Sequence, residues 1–304
     1  MTFPRIAYGT PRKLPKAQSL SGRVVVLDVA FASNAGGASF EKVTLPFING
    51  LGKRLAMWVD HHDHERHGEY ADDPRFVLRT KAQHGACPEM VTPERVQWAG
   101  KVDTICCHID FDGLCSAAKW IRGGEEPYPG ADDDARAIDT RMGIPSERAE
   151  VLDRALRGNP RDDGMRGMMI RYLAEGAQDK AMLREFRLAA EELLAKENES
   201  KRLATRYTIR GDVAVCDARV RQGFYDKTHL LLMGQELAPI SLVHDESTVT
   251  VAARFDSGID LLSILGLEEI RHSRIGDETV RGISGGQRKR VNLAMELLTE
   301  PSLL

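Results

Sequence analysis

The sequence predicts an α/β fold, with an open, mostly parallel sheet that has helices on both faces, a helical connector, and a second, smaller α/β domain. Three short apolar runs predict the sheet, at residues 23–31, 55–59 and 102–107, and acidic or histidine side chains stand at or after the end of each. Strands that alternate with helices favour an open sheet, where ligands bind outside the carboxyl ends of the strands. We therefore expect these polar side chains to meet at one edge.

The elements follow from local patterns in chain order. The first run is bounded by Ser-Gly and by a Gly-Gly segment, which is typical of a buried parallel strand. A helical pattern at about 40–53 leads into the second run. The third run follows a proline-containing stretch and precedes a helical segment at 114–122.

The second half of the chain begins with a helical pattern from about 145 to 207, of which 181–195 is the clearest amphipathic part. An apolar helix is predicted at about 259–267. The strand-like segments between these helices are 212–217, 228–233, 238–244 and 248–255.

Composition excludes several classes of protein. With 42% hydrophobic and 29% charged residues, the chain is neither disordered nor fibrous. A net charge of -3 argues against a protein with a global basic field, such as a nucleic-acid coat protein. The apolar runs are too short to span a membrane, and the first residues lack the pattern of a secretory signal, so we expect a cytoplasmic protein. Five cysteines without a CxxC pair predict reduced, partly buried thiols.

Six of the nine histidines lie within residues 61–108, together with several aspartates. On an extended backbone His108, Asp110 and Asp112 would point to one side and approach one ion. Carboxylates with imidazoles suit Mn²⁺, Mg²⁺ or Fe²⁺. Gly113 permits a tight turn and a helix start whose N–H groups face an anion, and the combination favours phosphate chemistry.

Some of these features also have ordinary structural interpretations. The histidine-rich run 61–64 fits a solvated polar loop as well as a site. Asp28, taken alone, fits a helix N-cap or a turn. The basic residues nearby could contact phosphate oxygens, although exposed basic residues usually have no specific role. They are Arg66, Arg75, Arg79 and Lys81.

Two motifs together resemble the DHH family of phosphoesterases. Asp60-His61-His62 follows an apolar strand, and Asp110-Phe-Asp112-Gly113 is followed by Ser-Ala. The resemblance extends over about residues 20–265. In most of the family the Asp-x-Asp-Gly motif precedes the DHH motif, so the order in this chain is permuted.

Two further segments support the resemblance. Leu27-Asp28-Val29 is similar to the family's lone strand-end aspartate, and Ile138-Asp139-Thr140-Arg141 is similar to its last acidic motif. The run Asp132-Asp133-Asp134 is a competing source of ligands in place of Asp139, although three adjacent acids are more often a solvated loop or a helix start.

The resemblance implies two divalent ions, usually Mn²⁺, with Mg²⁺ as the alternative. It implies that Asp28 bridges them, and that the other ligands are His108 and Asp110 for one ion and His61, Asp112 and Asp139 for the other. Asp60 would orient the ion-binding histidine, and His62 would face the substrate phosphate. Two such ions can generate a hydroxide and hold the attacking and leaving oxygens of an in-line displacement.

The resemblance also implies a domain organisation. A metal-binding domain would span residues 1–145, a connector 146–206 and a DHH-associated substrate-binding domain 207–267. In this last domain Arg254 is the predicted phosphate contact, and the alternative is an ordinary edge-strand arginine.

The remaining residues, 268–304, contain a different signature. The segment from Arg281 to Leu304 resembles the signature loop and helix of ABC-transporter nucleotide-binding domains, in which Ser284, Gly285 and Gly286 would bind phosphate. No GxxxxGK[ST] phosphate loop occurs in the sequence. A gene fusion or a truncation is the simplest hypothesis. Alternatively, this segment replaces the glycine-rich loop of the substrate-binding domain.

The sequence thus predicts a cytoplasmic metal-dependent hydrolase that cleaves phosphodiester or phosphoanhydride bonds in small nucleotides, short oligonucleotides or polyphosphate. The net acidity favours short substrates over long DNA. A homodimer is one assembly that the sequence allows. The alternatives are a nucleotide-binding sensor that has lost catalysis and a fragment of an ABC-transporter ATP-binding subunit.

Overall fold

The computed structural model describes residues 3–33, 38–246, 248–254 and 257–261. Two compact units make up the chain, residues 1–191 and residues 192–304. The ABC-like segment and most of the helix predicted at 259–267 lie outside the described residues. Among the described residues, none of the helices combines the length and the apolar character that a membrane span requires.

The first unit contains a five-stranded sheet in which all neighbouring strands are parallel. Its spatial order is β1-β5-β2-β3-β4. The strands are β1 (Arg5–Tyr8), β2 (Val24–Leu27), β3 (Leu55–Asp60), β4 (Phe76–Leu78) and β5 (Thr104–Cys107). The predicted fold class is confirmed, and the three predicted strands correspond to β2, β3 and β5.

Strand β2 shows why the sheet has a core on each face. All four of its residues are buried, and successive side chains point to opposite faces of the sheet. Val25 and Leu27 belong to one apolar cluster, and Val24 and Val26 belong to another. A continuous apolar run is therefore what this position requires, since both faces are covered.

Helices of the first unit begin mostly at side chains that accept a backbone hydrogen bond. Ser39, Thr92, Asp110, Ser146 and Asp162 cap their helices in this way. A π-helix at Phe40–Thr44 continues into α1 (Leu45–Leu51). The others are α2 (Pro93–Ala99), α3 (Phe111–Ile121), α4 (Ala131–Thr140), α5 (Glu147–Gly158), α6 (Asp163–Ala174) and α7 (Lys180–Ala204), which extends into the second unit.

The second unit contains a four-stranded sheet with the order β6-β7-β8-β9. In this sheet β7 and β8 are parallel, and the other two described pairs, β6–β7 and β8–β9, are antiparallel. The elements are β6 (Thr208–Arg210), β7 (Val213–Asp217), α8 (Lys227–Leu237), β8 (Ile240–His244) and β9 (Val249–Ala253). The strands predicted at 212–217, 238–244 and 248–255 are confirmed.

The strand predicted at 228–233 is wrong, because this run lies inside α8. Asp226 starts the helix by accepting a hydrogen bond from the backbone N–H of His229. A six-residue apolar run does not distinguish a strand from a buried helix. The parallel pairing of β7 with β8 requires a crossover connection, and α8 supplies it.

Candidate metal centre

The ends of three neighbouring strands are aligned. Leu27, the last residue of β2, lies opposite Val59 of β3 and Cys107 of β5. Asp28 and His108 follow their strands directly, so both project from one edge of the sheet. The predicted convergence at the carboxyl ends of the strands is thus what the sheet produces.

Asp28 has an unusual backbone and an unusual environment. Its φ is 59°, in the left-handed region that non-glycine residues rarely adopt. Its N–H donates to the carbonyl oxygen of Val59 at 2.8 Å, and this hydrogen bond holds the turn. The side chain is fully buried, and neither carboxylate oxygen has a hydrogen-bond partner among the described residues. Such strain and desolvation are typical of functional sites.

The two oxygens of Asp28 face different histidines. Oδ1 lies 3.4 Å from Nε2 of His61, and Oδ2 lies 3.7 Å from Nδ1 of His108. Potential ligand atoms lie within 4.8 Å of one another in three groups. The groups are Asp28, His108 and Asp110; His61, Asp112 and Asp139; and Asp28, His61 and His62.

The group around Asp112 depends on where helix α3 begins. Asp110 caps the helix, since its Oδ1 accepts from the N–H of Gly113 at 3.2 Å, and Asp112 lies in the first helical turn. A Cβ at position 113 would lie 2.8 Å from the carbonyl oxygen of His108, so glycine is needed at this close approach. The extended backbone expected for His108, Asp110 and Asp112 is therefore wrong. Asp112 instead lies with its Oδ2 3.5 Å from Nε2 of His61.

Each histidine of the DHH motif has its own anchor. Nδ1 of His61 lies 2.9 Å from the carbonyl oxygen of His84, so this nitrogen donates and Nε2 presents its lone pair to the carboxylates. Nδ1 of His62 donates to Oδ1 of Asp60 at 2.9 Å. The expectation that Asp60 orients an ion-binding His61 is corrected, because Asp60 holds His62.

Burial and mutual repulsion shift the pKa values of the buried acids. Burial, together with the negative charges of Asp112 and Asp110, raises the pKa of Asp28 well above its usual range. Burial and the charges of Asp110 and Asp139 raise the pKa of Asp112 to about 8. Buried carboxylates this close to one another are unfavourable as anions unless a cation neutralises them.

The two histidines respond in opposite directions. Burial and the neighbouring His62 lower the pKa of His61, which favours the neutral ring that a metal ligand must have. Burial also disfavours a charged His62, but the Asp60 carboxylate outweighs it and raises the pKa of His62 to about 9. The Asp60 carboxylate thus favours the protonated ring of His62.

The donor set fits divalent metal ions. Nε2 of His61 and both oxygens of Asp28 are buried and without hydrogen bonds in the described structure, and Nδ1 of His108 lies 2.7 Å from Oδ2 of Asp110. Leaving buried polar atoms unpaired is costly, and bound cations would satisfy those of Asp28 and His61. Oxygen and imidazole donors suit Mn²⁺, Mg²⁺ or Fe²⁺ better than soft metals. These residues can therefore hold a divalent ion, while the catalytic role of each remains a prediction.

The competing acidic run does not join the described ligand groups. Asp132 pairs with Lys119 at 2.5 Å, and Asp133 pairs with Arg136 at 3.0 Å. Asp134 accepts hydrogen bonds from Tyr128 and Ser146. Asp139 of the same helix α4 instead reaches the cluster, with Oδ2 3.9 Å from Nε2 of His61.

The predicted phosphate contacts outside the first unit are placed only in part. Arg254 is exposed directly after β9, and its N–H donates to the carbonyl oxygen of Pro239 at 2.8 Å. Ser284, Gly285 and Gly286 lie outside the described residues.

Three neighbours of the cluster make contacts that the sequence does not predict, although Lys81 is among the candidate phosphate contacts. The carbonyl of His84 orients His61, and the N–H of Cys87 donates to Oδ2 of Asp112 at 3.2 Å. Nζ of Lys81 lies 2.9 Å from Oδ2 of Asp139. Backbone groups carry no residue-type signal, so only the position of Lys81, shortly after the DHH motif, could have indicated a neighbour.

No family model matches the chain. Short segments are similar to ABC transporters of the G family. The broad substrate specificity ATP-binding cassette transporter ABCG2 of Sus scrofa is 31% identical over 98 residues, which is 32% of this chain and 13% of the transporter. ABC transporter G family member 25 of Oryza sativa subsp. japonica is 59% identical over 44 residues, 14% of this chain and 4% of that protein.

These matches span a small fraction of the transporters' length, and they agree with the ABC-signature-like segment in the sequence. Among solved structures, a pGpG-specific phosphodiesterase, PggH, from Vibrio cholerae aligns over 91% of this chain and 98% of its own, with 11% identity and a TM-score of 0.35. A TM-score this low does not establish a shared fold.

Proposed function

We propose that this protein is a phosphoesterase that depends on two divalent ions, Mn²⁺ in the first place. It would hydrolyse phosphodiester or phosphoanhydride bonds in small nucleotides, short oligonucleotides or polyphosphate. One observation carries the proposal: two groups of ligand atoms meet at Asp28, whose two buried oxygens face His61 and His108 separately. A carboxylate with this arrangement is suited to bridging two cations.

Asp28, His108 and Asp110 would hold one ion, and His61, Asp112 and Asp139 would hold the other. Asp28 also groups with His61, so it would be shared between the two ions. Such a pair of ions supplies a nucleophile at neutral pH and neutralises charge on the attacking and leaving oxygens. Asp28, His61 and Asp112 are buried and would form the floor of the site.

His62 would act on the substrate rather than on an ion. Its Nδ1 is engaged by Asp60, so Nε2 is left to donate to a phosphate oxygen. The ring is partly exposed, as are His108 and Asp110, whereas Asp28 and His61 are fully buried. This difference supports an approach of the substrate from the side of His62 and His108.

The proposal is tested by hydrolysis of a panel of phosphate compounds, with Mn²⁺ and with chelator. The panel contains a linear dinucleotide, a cyclic dinucleotide, adenosine 3′,5′-bisphosphate, polyphosphate and short single-stranded DNA. Asp110→Asn removes a ligand charge but keeps a residue that caps helices well, so α3 should persist. Asp133→Asn makes the same change at an exposed acid of α4.

We expect metal-dependent turnover of one class of compound, which Asp110→Asn abolishes and Asp133→Asn retains. Turnover that persists with chelator, or in Asp110→Asn, would contradict the metal-dependent mechanism. Tight Mn²⁺ binding without hydrolysis of any compound would instead favour a nucleotide-binding sensor.

The short ABC matches favour a second candidate for the C-terminal segment. We propose that Ser284, Gly285 and Gly286 bind phosphate, either as a remnant of an ABC subunit or as the glycine-rich loop of the substrate-binding domain proposed for residues 207–267. Deletion of residues 268–304 distinguishes the two. Unchanged KM and metal binding would indicate a fused remnant, and a large rise in KM would indicate a loop that serves the phosphoesterase. A rise in KM on replacing Arg254 would support the separate phosphate contact proposed for that residue.

A further inference from the structure

Lys81 lies on a turn that is fixed to the metal-binding edge of the sheet. The turn follows β4, and the N–H of Arg79 donates to the carbonyl oxygen of Asp60 at 2.9 Å. The N–H groups of Gln83 and His84 both donate to the carbonyl oxygen of Thr80, at 2.9 and 3.0 Å. His84 also accepts the hydrogen bond from Nδ1 of His61. One short segment therefore positions Lys81 and orients a metal-binding histidine.

The ammonium of Lys81 contacts a carboxylate of the cluster while remaining open to solvent. Its Nζ is 2.9 Å from Oδ2 of Asp139, and the Lys81 side chain is 33% exposed against 16% for Asp139. Asp139 belongs to the ligand group of His61 and Asp112. Lys81 therefore lies at the open rim of this group.

Neither stability nor metal binding explains a cation at this position. A partly exposed ion pair contributes little to stability. An ammonium 2.9 Å from a ligand oxygen competes with a metal ion for that oxygen and repels the ion. Arg66 and Arg136 differ, because their partners are Glu41, Glu69, Glu89 and Asp133, which lie outside the described ligand groups.

We propose that Lys81 binds a non-bridging oxygen of the substrate's scissile phosphate at the open rim of the cluster. This inference rests on the proposed phosphoesterase function. If Asp139 held a metal ion, the Lys81 ammonium would be free to donate to a phosphate oxygen. Lysine suits this role because it presents three donors on a flexible stem as a compact charge.

The test compares Lys81→Met, which keeps the apolar stem, with Arg79→Met, which removes an exposed cation two residues away. Arg79 donates only to the carbonyl oxygen of its neighbour Leu78 among the side-chain hydrogen bonds that the structure describes. Three quantities are measured on the Mn²⁺-loaded proteins: KM and kcat for the compound that wild type cleaves, the Kd of inorganic phosphate, and the Kd of Mn²⁺ itself.

We expect Lys81→Met to raise KM and the phosphate Kd by about tenfold or more, the effect of losing a hydrogen bond from a charged group. The Mn²⁺ Kd should be unchanged or lower, Lys81→Arg should recover part of the phosphate affinity, and Arg79→Met should behave as wild type. An unchanged phosphate Kd in Lys81→Met would overturn the proposal. Weaker Mn²⁺ binding would also overturn it, by showing that Lys81 positions Asp139.

Failure of the phosphoesterase function would be visible separately. Wild type would then hydrolyse none of the compounds, whereas the phosphate Kd would still report whether Lys81 binds the anion.

Discussion

Two groups of acidic side chains in the first unit have opposite surroundings. In the run Asp132-Asp133-Asp134 every carboxylate has a cationic or hydrogen-bonding partner. At the strand ends, both oxygens of the fully buried Asp28 lack a hydrogen bond among the described residues. The density of acids in the sequence therefore does not identify the metal centre. The buried Asp28, with neither oxygen hydrogen-bonded among the described residues, does.

The difference follows from where each group lies in the fold. Residues 132–134 occupy the first turn of α4, where the helix dipole favours negative charge and where neighbouring side chains can supply donors. Asp28 instead lies in a strained turn beside other carboxylates and Nε2 of His61. A paired group stabilises the fold, whereas an unpaired one is retained at a cost that a bound cation can offset.

The strongest test of the comparison is Asp28→Asn. Asparagine tolerates the left-handed backbone at this position, so the turn should be retained. We expect kcat/KM to fall by more than ~100-fold, since the loss of a ligand should exceed the 10–100-fold effect of a supporting residue. Wild-type rates in this variant would show that Asp28 does not bridge ions. Circular dichroism verifies the fold.

Metal removal should lower the free energy of unfolding of the protein, and this change should depend on the acids at the strand ends. At a Mn²⁺ concentration of a hundred times its Kd, binding stabilises the folded state by ~2.7 kcal/mol. Urea unfolding with Mn²⁺ and with chelator measures this difference. We expect most of it to disappear in Asp28→Asn and to persist in Asp134→Ala. An equal shift in both variants would place the ion elsewhere.

Asp134→Ala should have the opposite profile, with an effect on stability and none on metal affinity. The carboxylate accepts from the Tyr128 hydroxyl at 2.8 Å and from the N–H and hydroxyl of Ser146 at 2.6 Å each. Losing this acceptor leaves the hydroxyl of the buried Tyr128 unsatisfied, and we expect a decrease of about 2 kcal/mol in the free energy of unfolding. Mn²⁺ titration by calorimetry provides the second measurement, and a weaker Mn²⁺ affinity would contradict the distinction.

The smallest effect is expected for Asp133→Asn. Asp133 is 77% exposed and pairs only at the surface with Arg136, so both stability and turnover should remain close to wild type, within about 0.5 kcal/mol for unfolding. A loss of activity in this variant would show that the acidic run takes part in the site.

The fold is predictable where a strand is a continuous buried run, as in β2, β3 and β5. Strand β1 does not stand out because it begins with the exposed Arg5 and none of its residues is fully buried, and β4 does not because it has only three residues. The run 228–233 was assigned to the wrong element because its apolar character is shared by strands and by buried helices. Its helical form depends on the Asp226 cap and on the β7–β8 crossover, both of which need the tertiary arrangement.

The sequence by itself determined which residue types stand at the strand ends, and the parallel sheet required Asp28 and His108 to share one edge. Only the tertiary structure decided how the ligands are grouped. Asp112 joins His61 because α3 begins at Phe111, and Asp139 joins them because α4 packs with its last turn toward the cluster. The position of Lys81 against Asp139 likewise joins residues 58 positions apart in the chain. Side-chain spacing along a chain reports local geometry, whereas these contacts depend on where helices start and how distant segments pack.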